Sequence, residues 1–99
     1  MAKGARINRK IAENLAIQAL GFMAGDPERL GAFLAATGIG PDMIRKAAAD
    51  LSFLAGVLDH VCGDESLLIA VAEHAGVVPQ EVEHAQAILS GRPWQREVP

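Results

Sequence analysis

Residues 25–49 read GDPERLGAFLAATGIGPDMIRKAAA and set the plan of the whole chain, because residues 63–87 repeat that plan approximately. Asp26 is a typical N-cap residue, and Pro27 stands at the first helical position, where a backbone N–H is not needed. Gly38 suits the left-handed conformation that ends many helices, and Pro41 is suited to begin the next helix. The stretch therefore predicts two short helices joined by a tight turn.

Composition also favours helices. Apolar residues make up 51% of the 99 residues, but many are alanine, and aromatic residues are only 4%. An alanine-rich chain with few β-branched runs is typical of close-packed helices rather than a sheet. The length suits one domain with a single core.

The periodicity of apolar residues predicts an all-α fold of about six short helices in one compact domain. The first helix is expected over Ile7–Ala24, the second from Pro27 to about Thr37 and the third over Pro41–Ala49. Asp50 is expected to cap the fourth helix, the fifth should end at Ala75 and the sixth should begin at Pro79. Phe53 begins the clearest amphipathic stripe and is expected near the centre of the core. The predicted buried faces comprise Ile11, Leu15, Ala19, Leu20, Phe22, Met23, Leu30, Phe33, Leu34, Met43, Ile44, Ala47, Phe53, Leu54, Val57, Leu58, Val61, Leu67, Leu68, Val71, Ala72, Ala75, Val82, Ala85, Ile88 and Leu89.

Three regions are predicted: a basic flexible arm at 1–10, a helical domain at 11–89 and a flexible tail at 90–99. The basic start followed by an apolar run superficially resembles a secretory signal, but Glu13, Asn14 and Gln18 interrupt that run. No apolar stretch approaches the ~18 residues of a membrane span. The single cysteine excludes an internal disulfide. We therefore expect a cytoplasmic protein that does not enter the membrane.

A shift of 38 residues aligns the two halves of the helical domain. The match allows two interpretations: two pseudo-repeated three-helix units, or six short helices that need glycines and caps at similar intervals. The matched positions are breakers, caps and core residues, namely Leu20/Leu58, Gly25/Gly63, Asp26/Asp64, Leu30/Leu68, Ala32/Ala70, Gly38/Gly76, Pro41/Pro79, Ala47/Ala85 and Ala49/Ala87.

Residues 15–88 resemble a short all-helical alphaproteobacterial family that is filed as a domain of unknown function. The resemblance implies a small all-α protein and carries over no activity, cofactor or catalytic residue. Its marks are Asp26-Pro27-Glu28, Phe33-Leu34, Thr37-Gly38, Arg45, Phe53-Leu54, Val57-Leu58-Asp59 and Asp64-Glu65.

A helix-turn-helix is the sharpest functional motif. Ala72, Gly76 and Val82 have the spacing of that unit, with a small residue before the turn glycine and an aliphatic residue after it. The helix that would read DNA, however, carries Glu81 and Glu83, which phosphates repel. In the first copy Arg45 and Lys46 have the favourable charge, but Leu34 replaces the small residue.

Charge is divided unevenly along the chain. The first ten residues carry four basic side chains and no acidic one, whereas the rest has 5 basic and 12 acidic side chains and sums to −7. An acidic body disfavours nucleic-acid binding. Should the chain nevertheless contact nucleic acid, the candidate residues are Lys3, Arg6, Arg9, Lys10, Arg45 and Lys46.

No pattern of residues indicates catalysis or a cofactor. Glu81 and His84 have one Glu-x-x-His spacing, but a di-iron bundle needs two such pairs and two further glutamates. Cys62 is interpreted as a small buried hydrophobe, since no nearby base suggests an activated thiol. We therefore expect no metal, no cofactor and no enzyme activity.

The tail offers a candidate partner contact. Trp94 lies between Arg92 and Arg96, and tryptophan and arginine dominate interface hot spots. Trp94 is expected either to fold back on the body or to anchor a partner. The sequence thus favours a non-catalytic protein-interaction or scaffold module, with a helix-turn-helix DNA-binding regulator as the alternative; its oligomeric state stays open.

Overall fold

The computed structural model describes residues 7–47 and 49–91, apart from the side chains of Pro41 and Arg45. All regular elements in this part are helical, which confirms the all-α prediction. They are α1 (Arg9–Ala24), α2 (Pro27–Thr37), a 3₁₀ turn (Pro41–Met43), α3 (Ile44–Ala47), α4 (Leu51–Cys62), α5 (Glu65–Ala75) and α6 (Pro79–Leu89).

Side-chain caps fix where most helices begin. The Asn8 side chain accepts a hydrogen bond of 2.8 Å from the Ile11 N–H, so α1 begins at Arg9 rather than at Ile7 as predicted. Asp26, Asp50 and Asp64 cap α2, α4 and α5 in the same way, as their positions in the sequence indicated. Each cap satisfies backbone donors that have no partner within the helix.

Helices α1, α4, α5 and α6 form the core of the molecule, and each packs against the other three. Helix α6 packs most extensively on α1 and α4. The Gln86 side chain of α6 donates a 2.7 Å hydrogen bond to Asp59 of α4, and Glu83, one turn earlier in α6, lies near Cys62, one turn later in α4. Helices α6 and α4 are therefore antiparallel.

The two copies of the internal repeat have closely similar backbone geometry. Asp26 and Asp64 have φ/ψ of −130°/103° and −132°/106°, and the turn glycines Gly38 and Gly76 both have φ of 74°. Helix α2 also has the same length as α5, and its bounds shifted by 38 residues coincide with those of α5. The two copies differ in packing, because α6 is central to the core whereas its counterpart is only a 3₁₀ turn followed by four residues of α3.

Three predicted positions are wrong. Ile11 is 39% exposed because α1 turns a neighbouring face inward, with Ala12, Leu15 and Ala16 buried. Met43 is 48% exposed, since it ends the 3₁₀ turn and so loses the spacing of an α-helix. Phe53 is only half-buried at the edge of the core.

The third helix is also shorter than predicted. It ends at Ala47 rather than Ala49, where the Asp50 N–H donates to the Ala47 carbonyl before α4 begins. Within the described residues of the first copy, α3 is therefore much shorter than α6.

Candidate partner-binding surface

Residues 27–47, which we call the α2–α3 arm, place one fully buried aromatic side chain in the core. Phe33 is fully buried, with its ring edge-on to Phe53 and His60 at centroid distances of 5.7 and 5.3 Å. Leu34 and Ile44 add partly buried contacts. Such aromatic pairs stabilise a preferred ring geometry in addition to the area they bury, so they fix the position of α2 on α4.

Beyond the first turn of α2, the outer face of the arm is formed by small uncharged residues. No charged side chain occurs from Leu30 to Pro41. Helix α2 leaves two neighbouring pairs of small residues exposed at helical spacing, Gly31, Ala32, Ala35 and Ala36. The short side chains of this face let another backbone approach it closely.

The charged residues of the arm lie at its ends, and Glu28 is exposed in the first turn of α2, on the same side of the helix as Gly31 and Ala32. Arg29, in the first turn of α2, pairs with the N-cap carboxylate of Asp26, with Nε and Oδ2 3.4 Å apart. Asp42 and Lys46 are exposed beyond the turn. Residues 30–40 themselves therefore offer a partner no charged side chain, and the nearest charge on this side of α2 is Glu28.

The α5–Gly76–α6 segment has the residues of a helix-turn-helix where the sequence placed them. Ala72 and Val82 are buried, and Gly76 is left-handed. Helix α6, however, is held between α1 and α4, and Gln80 is its only exposed residue. A recognition helix must present an open face to the major groove, and α6 has little exposed surface that could serve as such a face.

The carboxylates of α4, α5 and α6 further oppose contact with nucleic acid. Residues 49–91 contain seven acidic side chains and neither lysine nor arginine. The Glu81 carboxylate accepts a 3.1 Å hydrogen bond from the Val78 N–H, so it helps to cap the N-terminus of α6. Phosphates would meet negative charge across α4, α5 and α6.

The predicted cationic and tail residues are described only in part. Arg9 and Lys10 are exposed in the first turn of α1, and Lys46 is exposed in α3. The remaining ones lie outside the described residues: Lys3, Arg6, Arg92, Trp94, Arg96 and the side chain of Arg45.

Cys62 is half-buried, and burial raises the pKa of its thiol to about 12, helped by the nearby carboxylates of Glu83 and Asp59. The thiol therefore stays protonated at neutral pH and is a poor nucleophile. The described part of the chain also contains no group of three or more histidine, cysteine or acidic side chains arranged to hold a metal ion.

Two histidines have structural contacts that the sequence did not reveal. His60 packs against Phe33 of the arm, and His74 of α5 lies 5.2 Å from the ring of Phe22 in α1. Both contacts join helices that are distant in sequence, so no local sequence pattern predicts them.

The fold defines a small all-α protein with a four-helix core and one loosely attached helical arm. A family model described as "Protein of unknown function (DUF3572)" matches residues 9–92, and the chain belongs to this family. This confirms the resemblance noted from the sequence; the alphaproteobacterial source stays a prediction. Searches of curated proteins and of solved structures found no match.

No helix in the described ranges is long and apolar enough to cross a membrane.

Proposed function

We propose that this chain is a non-catalytic protein-interaction module whose partner docks on the outer face of the α2–α3 arm. The observation that carries the proposal is the exposed, uncharged face of α2, built from Gly31, Ala32, Ala35 and Ala36. Small side chains let two backbones pack closely, and the absence of charge keeps the desolvation cost of docking low.

The partner surface that fits this face is apolar and is itself helical or flat. Met43, 48% exposed at the end of the 3₁₀ turn, has a flexible side chain that can adapt to the shape of a partner. The tail residues Arg92, Trp94 and Arg96 remain a predicted second contact, and a cytoplasmic location remains the expectation from the sequence.

Affinity capture from the native cell tests the proposal. The full chain is compared with an Ala32→Arg/Ala36→Arg variant, which places two charges on the outer face at positions that tolerate helix-forming residues. Gln18→Arg, an exposed change on α1, is the matched control for added charge. A truncation after Gly91 measures the contribution of the tail.

We expect proteins that are captured by the full chain and by Gln18→Arg but lost with the double variant. Circular dichroism must show that the double variant keeps its helices. If the same proteins are captured by all folded variants, the outer face of the arm is not the docking surface. If capture is lost only on truncation, the tail is the binding element instead.

A further inference from the structure

The α2–α3 arm is joined to the molecule more weakly than any other segment of similar length. Helices α1, α4, α5 and α6 contact one another in every combination, whereas α2 contacts α1 and, to a smaller extent, α4. Stability within a protein follows such differences, since segments with few buried contacts open before the core does.

The distribution of buried side chains shows the same division. Phe33 is the one fully buried residue that α2 contributes to the core. Its repeat counterpart in α5 is Val71, which is also fully buried but is accompanied by Leu67, Leu68 and Ala72. One side chain thus accounts for the buried part of α2, whereas four account for that of α5.

Among the side chains of the arm that the structure describes, no polar contact joins the arm to a core helix. The side-chain hydrogen bonds described for the arm are local. Asp26 accepts from the Glu28 and Arg29 N–H groups, and the Thr37 hydroxyl donates to the Phe33 and Leu34 carbonyls and accepts from the Ile39 N–H. The Arg29–Asp26 ion pair is local as well. By contrast, the Gln86–Asp59 hydrogen bond joins two core helices.

We propose that residues 27–47 open and close as a unit while α1, α4, α5 and α6 stay folded, and that Phe33 is the latch. The seat of the latch consists of the Phe53 and His60 rings on α4. Opening uncovers this aromatic seat in the free protein. It requires no partner, so the inference stands or falls separately from the proposed function.

Native-state hydrogen exchange on the full chain, read by mass spectrometry in rising sub-denaturing urea, tests this inference. Amides of residues 30–37 should exchange faster than the protected amides of α1, α4 and α6, and with a shallower dependence on urea, because opening the arm exposes less surface than global unfolding. Phe33→Ala should speed exchange in the arm by about 100-fold or more while the core helices stay protected.

Val71→Ala is the matched control, because it truncates the equivalent buried position of the repeat inside the core. It should speed exchange in all four core helices together. Phe33→Leu, which refills part of the seat, should restore part of the protection of the arm. The inference is overturned if wild-type arm and core share one urea dependence, or if Phe33→Ala loses protection everywhere or fails to fold.

Discussion

Phe33 and the alanines of α1 decide how the helices of this protein meet. Ala12, Ala16 and Ala19 are fully buried on α1, and their small side chains let α4 and α6 approach the α1 backbone closely. Phe33 does the opposite, because its large ring reaches into the core from a helix that stays outside it. Residue size thus separates the core helices from the arm.

Substitutions on α4 should show where the core ends. Leu58 is fully buried and Phe53 is half-buried on the same helix. Leu58→Ala should cost about 3–5 kcal/mol of unfolding free energy, and Phe53→Ala should cost less despite its larger side chain. Urea denaturation followed by circular dichroism measures both. A larger loss with Phe53→Ala would return Phe53 to the centre of the core.

The Cys62 thiol should react slowly in the folded protein. Burial and two carboxylates raise its pKa to about 12, and only the thiolate attacks an alkylating reagent. At pH 9, iodoacetamide should alkylate the native protein at least about tenfold more slowly than the urea-unfolded chain. Equal rates in the two states would show that the thiol is exposed and ionises normally.

The same shift gives a pH dependence of stability. Because the pKa is higher in the folded state, the contribution of Cys62 is fully present below the pKa of the unfolded chain and is lost as pH rises toward about 12. Cys62→Ala should therefore flatten the fall in stability above pH 9. An unchanged slope in this variant would assign the fall to other groups.

At the scale of helices, the repeated turns give a paired prediction. Gly38 and Gly76 both have φ of 74°, and a Cβ at either position would meet no atom within 4 Å. Replacement by alanine should therefore cost only backbone strain, about 1 kcal/mol at each position, and valine should cost more. Hydrogen exchange in the last turn of α2 or α5 measures the loss locally.

Gly31→Ala is the control for these two variants. Gly31 lies inside α2 with helical φ and open space around it, so alanine should stabilise the helix by up to about 1 kcal/mol. If Gly38→Ala also stabilised α2, the positive φ at that turn would be wrong.

Helix ends could be predicted from the sequence because the signals are local. Asp26 and Gly38 act through their own backbone neighbours and bound α2, as Asp64 and Gly76 bound α5. Pro79 likewise marks the start of α6. The buried face of α1 could not be predicted as well, because Ile11 is more apolar than Ala12 and only the neighbouring helices favour the smaller residue. The weak attachment of the arm likewise depends on contacts between helices distant in the sequence.

At the scale of the whole molecule, both charge and packing oppose DNA binding by α6. Residues 49–91 carry seven acidic side chains without a lysine or arginine, and α6 is enclosed by α1 and α4. The helix that has the spacing of a DNA reader therefore lacks both an open face and positive charge. The basic residues of the chain stand mostly before residue 11 and in the arm.

We therefore predict no sequence-specific DNA binding. Weak binding, where it occurs, should come from the first ten residues, because a cationic segment releases counterions wherever it meets phosphate. With four basic side chains there, log K should fall with log salt with a slope no steeper than about −4. Fluorescence anisotropy of a mixed-sequence duplex at several salt concentrations, with and without residues 1–10, measures this. Removal should abolish binding, whereas Arg45→Ala and Lys46→Ala should change it little.

The opposite result has a definite structural meaning. Tight binding that survives loss of residues 1–10 but fails with Arg45→Ala would place the DNA contact on α3 in the arm, since α6 carries no lysine or arginine to replace it. Lys46 is exposed one residue further on and would then contribute to the same contact. The contact would be electrostatic, because four residues of α-helix are too short to fill a major groove. It would also place the arm against phosphate and thus contradict the uncharged docking surface proposed for its partner.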